Sequence, residues 1–219
     1  MSLLAIVLGI FEGFRVTAVV TVLGLLYAIP FAFVFGILQH MTDGWARRLV
    51  TAVIEFWRSS PTIVLLYAFY YSLPSFGVDL SAITVGSMVL GLNIGGYGSQ
   101  SVRAALQSIE RGQTEAGLAL GLNRINVLCF VELPQAITAT VPNFVSLAIQ
   151  LVKGTALVSL ITLTDMTFRA KEIGQLAYNP IGVYTALVVA YCVICYPMAI
   201  IGRRLEARIG KYRGTKHEL

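Results

Sequence analysis

The longest charge-free stretches of this chain constrain its fold more than any other feature. Residues 16–42, between Arg15 and Asp43, contain no charged side chain, and neither do residues 173–202. A helix of about 20 apolar residues, at 1.5 Å per residue, crosses the roughly 30 Å of hydrocarbon in a bilayer. Runs of this length predict helices that span a membrane.

The composition supports the same conclusion. Hydrophobic residues make up 57% of the 219 residues and charged residues only 12%, and the mean hydropathy is +0.77. Charged residues are about a quarter of an average soluble domain. The net charge of +5 comes from short basic clusters between apolar runs, without a basic face interleaved with aromatic residues, so nucleic acid is not an expected partner. We expect an all-α integral membrane protein.

The positions of the charges predict five transmembrane helices in a single domain, residues 1–219. The expected spans are about 14–39, 60–76, 80–102, 136–163 and 180–201. Residues 1–10 are apolar but short, and we expect them to form an interfacial helix. Residues 165–172 are polar and are expected to form a hairpin between the last two spans.

Neither the cysteines nor the histidines form a recognisable chemical site. Cys192-x-x-Cys195 lies in an uncharged span, where no electropositive group would favour thiolate, so core packing is predicted. His40 and His217 have no second ligand at useful spacing. We therefore expect no metal site and no catalytic residue.

A polar segment, residues 112–134, interrupts the apolar pattern between the third and fourth expected spans. Its fixed positions resemble the E-A-A, x3, G, x9, I, x, L-P signature of the permease subunits of ATP-binding cassette (ABC) importers. Glycine replaces the second alanine, and valine replaces isoleucine. The matching positions are Glu115, Ala116, Gly117, Gly121, Val131, Leu133 and Pro134.

The resemblance implies that residues 112–134 form a cytosolic coupling loop that docks on an ATPase subunit. The six residues expected to couple to the ATPase are Glu115, Ala116, Gly117, Gly121, Leu133 and Pro134. The residues themselves favour a short helix, which we expect Thr114 to cap and Gly121 to end. The alternative is an ordinary loop helix that packs against its own bundle.

Three further segments resemble the polar amino acid branch of these permeases. Residues 58–61 read R-S-S-P where R-G-T-P is usual, and residues 152–157 read V-K-G-T-A-L where L-K-x-T-S-L is usual. In residues 95–103, Gln100 replaces an acidic residue, which argues against a charged-substrate site copied from relatives. The resemblance implies a polar amino acid or an amino-acid-derived solute, such as an opine or an ectoine-like compound.

Four residues are candidates for the solute pathway. Asn93, Tyr97 and Gln100 are spaced four and three apart on one helical face, which either lines a passage or joins two helices. Lys153 is a charge within an apolar run, so it is expected to face protein, water or an interface. It is either a gate residue or a structural tie to carbonyl groups. Arg58 is read as a snorkelling interface anchor, a role that does not exclude a second one.

The chain contains no G-x-x-x-x-G-K-[ST] motif for nucleotide binding, so we expect no bound cofactor and ATP hydrolysis by a partner. The resemblance implies two ATPase subunits, a second permease that is identical or paralogous, and an extracytoplasmic solute-binding protein.

The basic residues predict the orientation in a bacterial inner membrane. With the C-terminus cytosolic and the N-terminus outside, most of the basic residues, including those of the tail, lie on the inner side. These are Arg47, Arg48, Arg58, Arg103, Arg111, Arg124, Arg203, Arg204, Arg208, Lys211, Arg213 and Lys216, against Arg15, Arg169 and Lys171 outside. We expect the basic tail to contact anionic lipid.

Two other classes of protein are weaker candidates. An ion-coupled secondary amino acid transporter usually shows paired repeats and a midplane ion site, and the sequence shows neither a repeat nor an intramembrane carboxylate. A membrane enzyme would need a cluster of His, Cys or acidic residues at catalytic spacing.

Overall fold

The computed structural model describes residues 3–177 and 179–214, and within them the chain forms helices and no strand. The helices are α1 (Leu3–Phe11), α2 (Phe14–Met41), α3 (Gly44–Ser59), α4 (Thr62–Tyr67), α5 (Ala82–Gln107), α6 (Arg111–Ala119), α7 (Arg124–Val127), α8 (Leu133–Gly154), α9 (Met166–Ala177) and α10 (Pro180–Gly214). Short π or 3₁₀ turns extend α4 through Ala68–Ser72 and Leu73–Phe76, α7 through Leu128–Glu132, and α8 through Thr155–Ile161. The predicted all-α fold class is confirmed.

Several helices are long and apolar enough to cross a membrane. In the described residues these are Ala5–Met41, Arg124–Ile161 and Pro180–Ile209. A fourth span results if α3 and Thr62–Phe76, which are bent by 94° at a short break, are counted together. α5 is long enough, with 26 residues, but glycines and polar residues lower its hydropathy. A multi-pass membrane protein is confirmed, and the number of five spans stays a prediction.

α2 and α5 form the most extensive helix contact in the described part of the chain. A Cβ atom placed on Gly91 would lie 2.4 Å from the Gly24 carbonyl oxygen, and one on Gly95 would lie 3.0 Å from the Ala28 carbonyl oxygen. These glycines let the two backbones approach more closely than any side chain would allow. The G-x-x-x-G spacing of Gly91 and Gly95 places both glycines on the face of α5 that meets α2.

The second expected span differs from the prediction. The helix begins at Gly44 rather than near residue 60, ends at Ser59, and resumes at Thr62 in a new direction. Pro61 explains the break, because it has no N–H to donate to the carbonyl oxygen of Trp57. Arg47, Arg48, Glu55 and Arg58, which precede the expected span, belong to an amphipathic helix whose Ile54 is fully buried.

The predicted polar hairpin at residues 165–172 is wrong, because α9 begins at Met166. Asp165 starts this helix. Its Oδ2 accepts the Thr167 N–H at 3.1 Å, and its Oδ1 accepts the Phe168 N–H at 3.0 Å. Burial raises the pKa of the Asp165 carboxyl, and the two N–H donors only partly oppose that effect.

The N-terminal helix α1 packs against α9 and α10. Ile6 and Ile10 are buried in a cluster with Met166, Ala170 and Val183. One face of α1 is therefore covered by protein. Its predicted place at the membrane interface stays a prediction.

We predict that Gly91→Ala destabilises the protein by about 1–3 kcal/mol, since the added methyl group would push α2 away from α5. The measurement is the thermal unfolding midpoint of the purified chain in detergent. Gly174→Ala in α9 is the matched control. Its new Cβ would have its nearest neighbour at 4.0 Å, and it should be neutral or stabilising by up to about 1 kcal/mol. Equal midpoints for the two variants would contradict the close-packing argument.

Candidate functional site

The coupling loop contains two short helices joined by a tight turn. Gly121, two residues beyond the end of α6, has a φ of +84°. Its N–H donates to the Leu118 carbonyl oxygen at 2.9 Å, and the Leu122 N–H donates to the Gly117 carbonyl oxygen at 3.2 Å. This pair of bonds is the Schellman motif, which needs a left-handed residue at the Gly121 position. The prediction that Gly121 ends the helix is confirmed.

The N-terminal end of α6 differs from the prediction. The helix begins at Arg111, with Glu110 in the capping position, so Thr114 lies inside it and the expected Thr114 cap is wrong. The Thr114 hydroxyl instead donates to Glu132 Oε1 at 2.8 Å. Thr114, which was expected to cap α6, therefore joins α6 to the segment that returns to the membrane at Glu132.

Glu132 is the residue of this site that the sequence analysis missed. It is only 2% exposed, and its Oε1 also accepts a hydrogen bond from the Arg124 guanidinium. Arg124 in turn lies 3.3 Å from His40 Nε2, near the end of α2. The coupling loop has two arms, which are α6 and the return segment, residues 124–132. The Glu132 carboxylate connects these two arms and, through Arg124, connects the loop to α2. The available signal was an acidic residue next to Leu133-Pro134, since a carboxylate at the start of an apolar span needs a partner.

Glu132 also borders a polar cavity of about 550 Å³, together with His40, Thr114, Glu115 and Arg124. The second carboxylate oxygen of Glu132, Oε2, is buried and has no hydrogen-bond partner among the described residues. Buried polar atoms of this kind usually bind ordered water. The hydrogen bonds that hold the carboxylate within the described residues are therefore all made to Oε1.

The outer surface of the coupling loop is apolar. Leu120 is 84% exposed, and Leu118 and Ile125 are also exposed. Glu115 and Ala116 are exposed beside them, as is Pro134 at the other end of the loop. Large apolar side chains that project from a polar segment are typical of a surface that binds a protein partner.

Gly117 lies on the inner side of α6, where it is buried against α7. A Cβ atom at this position would lie 3.0 Å from Val127 Cγ2, which is tighter than ordinary contact. Val127 itself is fully buried. Glycine in place of the usual alanine therefore matches a β-branched neighbour, and it lets the two arms of the loop close on each other.

The polar face of α5 makes three helix-to-helix ties. Asn93 Nδ2 donates to the Trp57 carbonyl oxygen at 2.8 Å, and Tyr97 Oη donates to the Arg58 carbonyl oxygen at 3.3 Å. Gln100 Nε2 donates to Gln39 Oε1 on α2 at 3.0 Å. The Asn93 amide thereby replaces the backbone N–H that Pro61 lacks, as the donor to the Trp57 carbonyl oxygen. A role for these three residues in lining a passage stays a prediction.

Lys153 is exposed near the end of α8 and makes no hydrogen bond or ion pair with the described residues. It borders an apolar groove of about 560 Å³ between α8 and α10, together with Tyr191, Cys192 and Cys195. Cys195 is buried, as core packing predicted, but Cys192 is exposed. Neither proposed role of Lys153 is decided by these contacts.

Metal ligands do not cluster in the described part of the chain, where no group of three His, Cys, Asp or Glu side chains could hold an ion. His40 is instead a neighbour of Arg124. His217 and Lys216 lie outside the described residues.

Residues 28–211 match the family model described as the binding-protein-dependent transport system inner membrane component. The chain belongs to this family. It is thus a permease subunit of an ABC transporter, which is not itself an enzyme and which works with an ATPase and a second permease.

Curated relatives are similar over most of their length. The probable amino-acid ABC transporter permease y4tF of Sinorhizobium fredii is 33% identical over 94% of this chain and 89% of its own length. The L-cystine permease TcyB of Bacillus subtilis is 31% identical, over 86% of both chains. The glutamine permease GlnP of Escherichia coli K12 is also 31% identical, over 90% of this chain and 91% of its own.

Solved structures show the same fold. The crystal structure of an amino acid ABC transporter with histidines superposes with a TM-score of 0.81 and 25% identity, over 95% of this chain and 99% of that chain. The MetNI methionine ABC transporter superposes with a TM-score of 0.73 and 22% identity over the same shares, which supports the fold alone.

We predict that Gly121→Val uncouples ATP hydrolysis from transport while Gly121→Asn does not. No atom of the described residues lies within 4 Å of a Cβ at this position, so backbone conformation alone is tested. A β-branched residue is strained at positive φ by about 1–2 kcal/mol, whereas asparagine tolerates it. The measurement is solute transported per ATP hydrolysed in the reconstituted transporter. Equal amounts of solute transported per ATP for the two variants would show that the left-handed turn at Gly121 is not needed for coupling.

We predict that Glu132→Ala lowers both the thermal midpoint and the transport per ATP. Losing the acceptor removes the hydrogen bonds that Arg124 and Thr114 donate to the buried carboxylate, a loss of about 1–3 kcal/mol. Glu115→Gln is the control for stability, since Glu115 is exposed and makes no ion pair in the described part of the chain. It should leave the midpoint unchanged. A Glu132→Ala midpoint equal to wild type would contradict a connecting role for Glu132.

Proposed function

We propose that this chain forms half of the translocation passage of an importer for a polar amino acid or an amino-acid-derived solute. The single observation that supports it most is the coupling loop, whose outer face is apolar and exposed while its inner face is tied through Glu132 to the bundle. The relatives named for amino acids, glutamine and cystine support the solute class. Opines and ectoine-like compounds belong to the same candidate class.

The proposed mechanism begins at the exposed surface of the coupling loop. An ATPase subunit binds Leu118 and Leu120, and closure of the ATPase dimer on ATP displaces α6. Arg124 and Glu132 pass this displacement to His40 and α2. Because α2 is packed closely on α5, the two helices move together and open the passage to alternate sides.

The proposed assembly contains two ATPase subunits, a second permease that is identical or paralogous, and an extracytoplasmic binding protein that delivers the solute. Five spans would place the N-terminus outside and the coupling loop in the cytosol, where ATP is present. The basic residues near the end of α10 favour this orientation and a contact with anionic lipid, since Arg203, Arg204 and Arg208 are exposed.

The test is uptake into proteoliposomes that contain this chain with its partner permease, ATPase and binding protein. We expect radiolabelled L-glutamine, L-cystine or L-histidine to accumulate only when ATP is present. Leu120→Asp should abolish the uptake without lowering the thermal midpoint, because the exposed side chain contributes only to docking. Uptake driven by a sodium or proton gradient without the ATPase would instead support the ion-coupled alternative.

A further inference from the structure

The break in the second helix lies level with the middle of α5. Asn93 and Tyr97 bind the carbonyl oxygens of Trp57 and Arg58, which places the end of α3 beside them. At 1.5 Å per residue, each of these α5 residues lies about 15 Å from the nearer end of its helix. Because both residues lie inside the expected span 80–102, the end of α3 lies within the hydrocarbon core, between its centre and the side of the coupling loop.

An ion pair lies at this end of α3. Arg58 Nη2 lies 2.7 Å from Glu55 Oε1, and Ser59 Oγ donates to Glu55 Oε2 at 2.9 Å. The guanidinium group also lies 6.0 Å from the centre of the Tyr97 ring. Arg58 thus lies beside α5 within the expected span and is paired with Glu55, and its role as a snorkelling anchor stays a prediction.

The pair is not closed off by this chain. The Arg58 side chain is 32% exposed and that of Glu55 is 40% exposed. Charged groups inside the bilayer are too costly to face lipid, and they face water or protein instead. The exposed side of the pair is therefore expected to face water or a neighbouring subunit rather than lipid.

Neighbouring polar groups at the same depth are already used. The amide of Asn93 and the hydroxyl of Tyr97 hold the end of α3, as described above. The charged groups of Glu55 and Arg58 differ from them, since they bond to each other and, for Glu55, to Ser59 on the same helix. Of these groups, the ion pair is the charged one, and its partly exposed side chains can still bind a solute.

We propose that Glu55 and Arg58 form a transient binding site for the zwitterionic head group of the transported amino acid. Arg58 binds the carboxylate and Glu55 binds the ammonium group. In the empty passage the two side chains neutralise each other, and the solute replaces each partner with a group of the same charge. The exchange leaves no unpaired charge, so the site can bind and release. This inference rests on the proposed function.

The first test compares single variants in the reconstituted transporter, with whichever amino acid the wild type imports as the probe. Glu55→Gln and Arg58→Gln should each lower ATP-dependent uptake at least tenfold. Arg48→Gln is the matched control, because Arg48 is an exposed cation on the same helix, nearer the start of α3. It should import at the wild-type rate. Single variants that match the control would overturn the proposal.

The double variant Glu55→Gln/Arg58→Gln separates solute binding from a structural tie. If the ion pair only stabilises α3, removing both charges leaves no unpaired charge and should restore uptake to near the wild-type rate. That outcome would overturn the proposal. If the pair binds the head group, the double variant should stay as defective as the single ones.

Thiol labelling gives a readout that does not depend on knowing the solute. Ser59→Cys is placed in a background where Cys129, Cys192 and Cys195 are alanine, and it is treated with a membrane-impermeant charged thiol reagent. We expect labelling in one nucleotide state and protection by millimolar L-glutamine or another imported amino acid. No labelling in any state would mean that lipid or the second permease covers the pair, and would overturn the proposal. A wild type that imports no amino acid, yet labels at position 59, would overturn the proposed solute class instead.

Discussion

The close approach of α2 and α5 is the contact on which the rest of the structure depends. It is made through glycine, with Gly91 against the backbone at Gly24, and it leaves no room for sliding or for a side chain. The second helix is then tied to this pair through Asn93 and Tyr97. A displacement that reaches α2 from the coupling loop therefore moves α5 and the broken helix with it.

The broken second helix shows how the chain tolerates irregular backbone at membrane depth. Pro61 removes one backbone donor, and a buried carbonyl oxygen without a partner would cost a few kcal/mol in an apolar setting. The Asn93 amide compensates at the Trp57 carbonyl, and the Tyr97 hydroxyl does so at Arg58. Asn93 and Tyr97 thereby hold the helix that carries the ion pair.

Local patterns predicted most of the helices and the Gly121 turn, because each depends on residues close in sequence. Glu132 could not be predicted in the same way, since its partner Thr114 comes from the other arm of the loop and His40 from a distant helix. The second span was expected near residues 60–76 because that run is uncharged, whereas the helix begins at Gly44. Glu55 and Arg58 neutralise each other through local i,i+3 spacing, but only the tertiary contacts of Asn93 and Tyr97 show that the end of α3 lies against α5.

The coupling loop separates two tasks between its two faces. Leu120 on the outer face is 84% exposed and contributes little to the fold of this chain. The side chain at this position can therefore be chosen for its contact with the partner without affecting the fold. Glu132 on the inner face is buried, and its bonds to Thr114 and Arg124 hold the arms of the loop in one arrangement. Force applied to a loop is transmitted only if the loop does not deform first. The buried carboxylate supplies that stiffness where hydrophobic contact alone, which is non-directional, would let the arms slide.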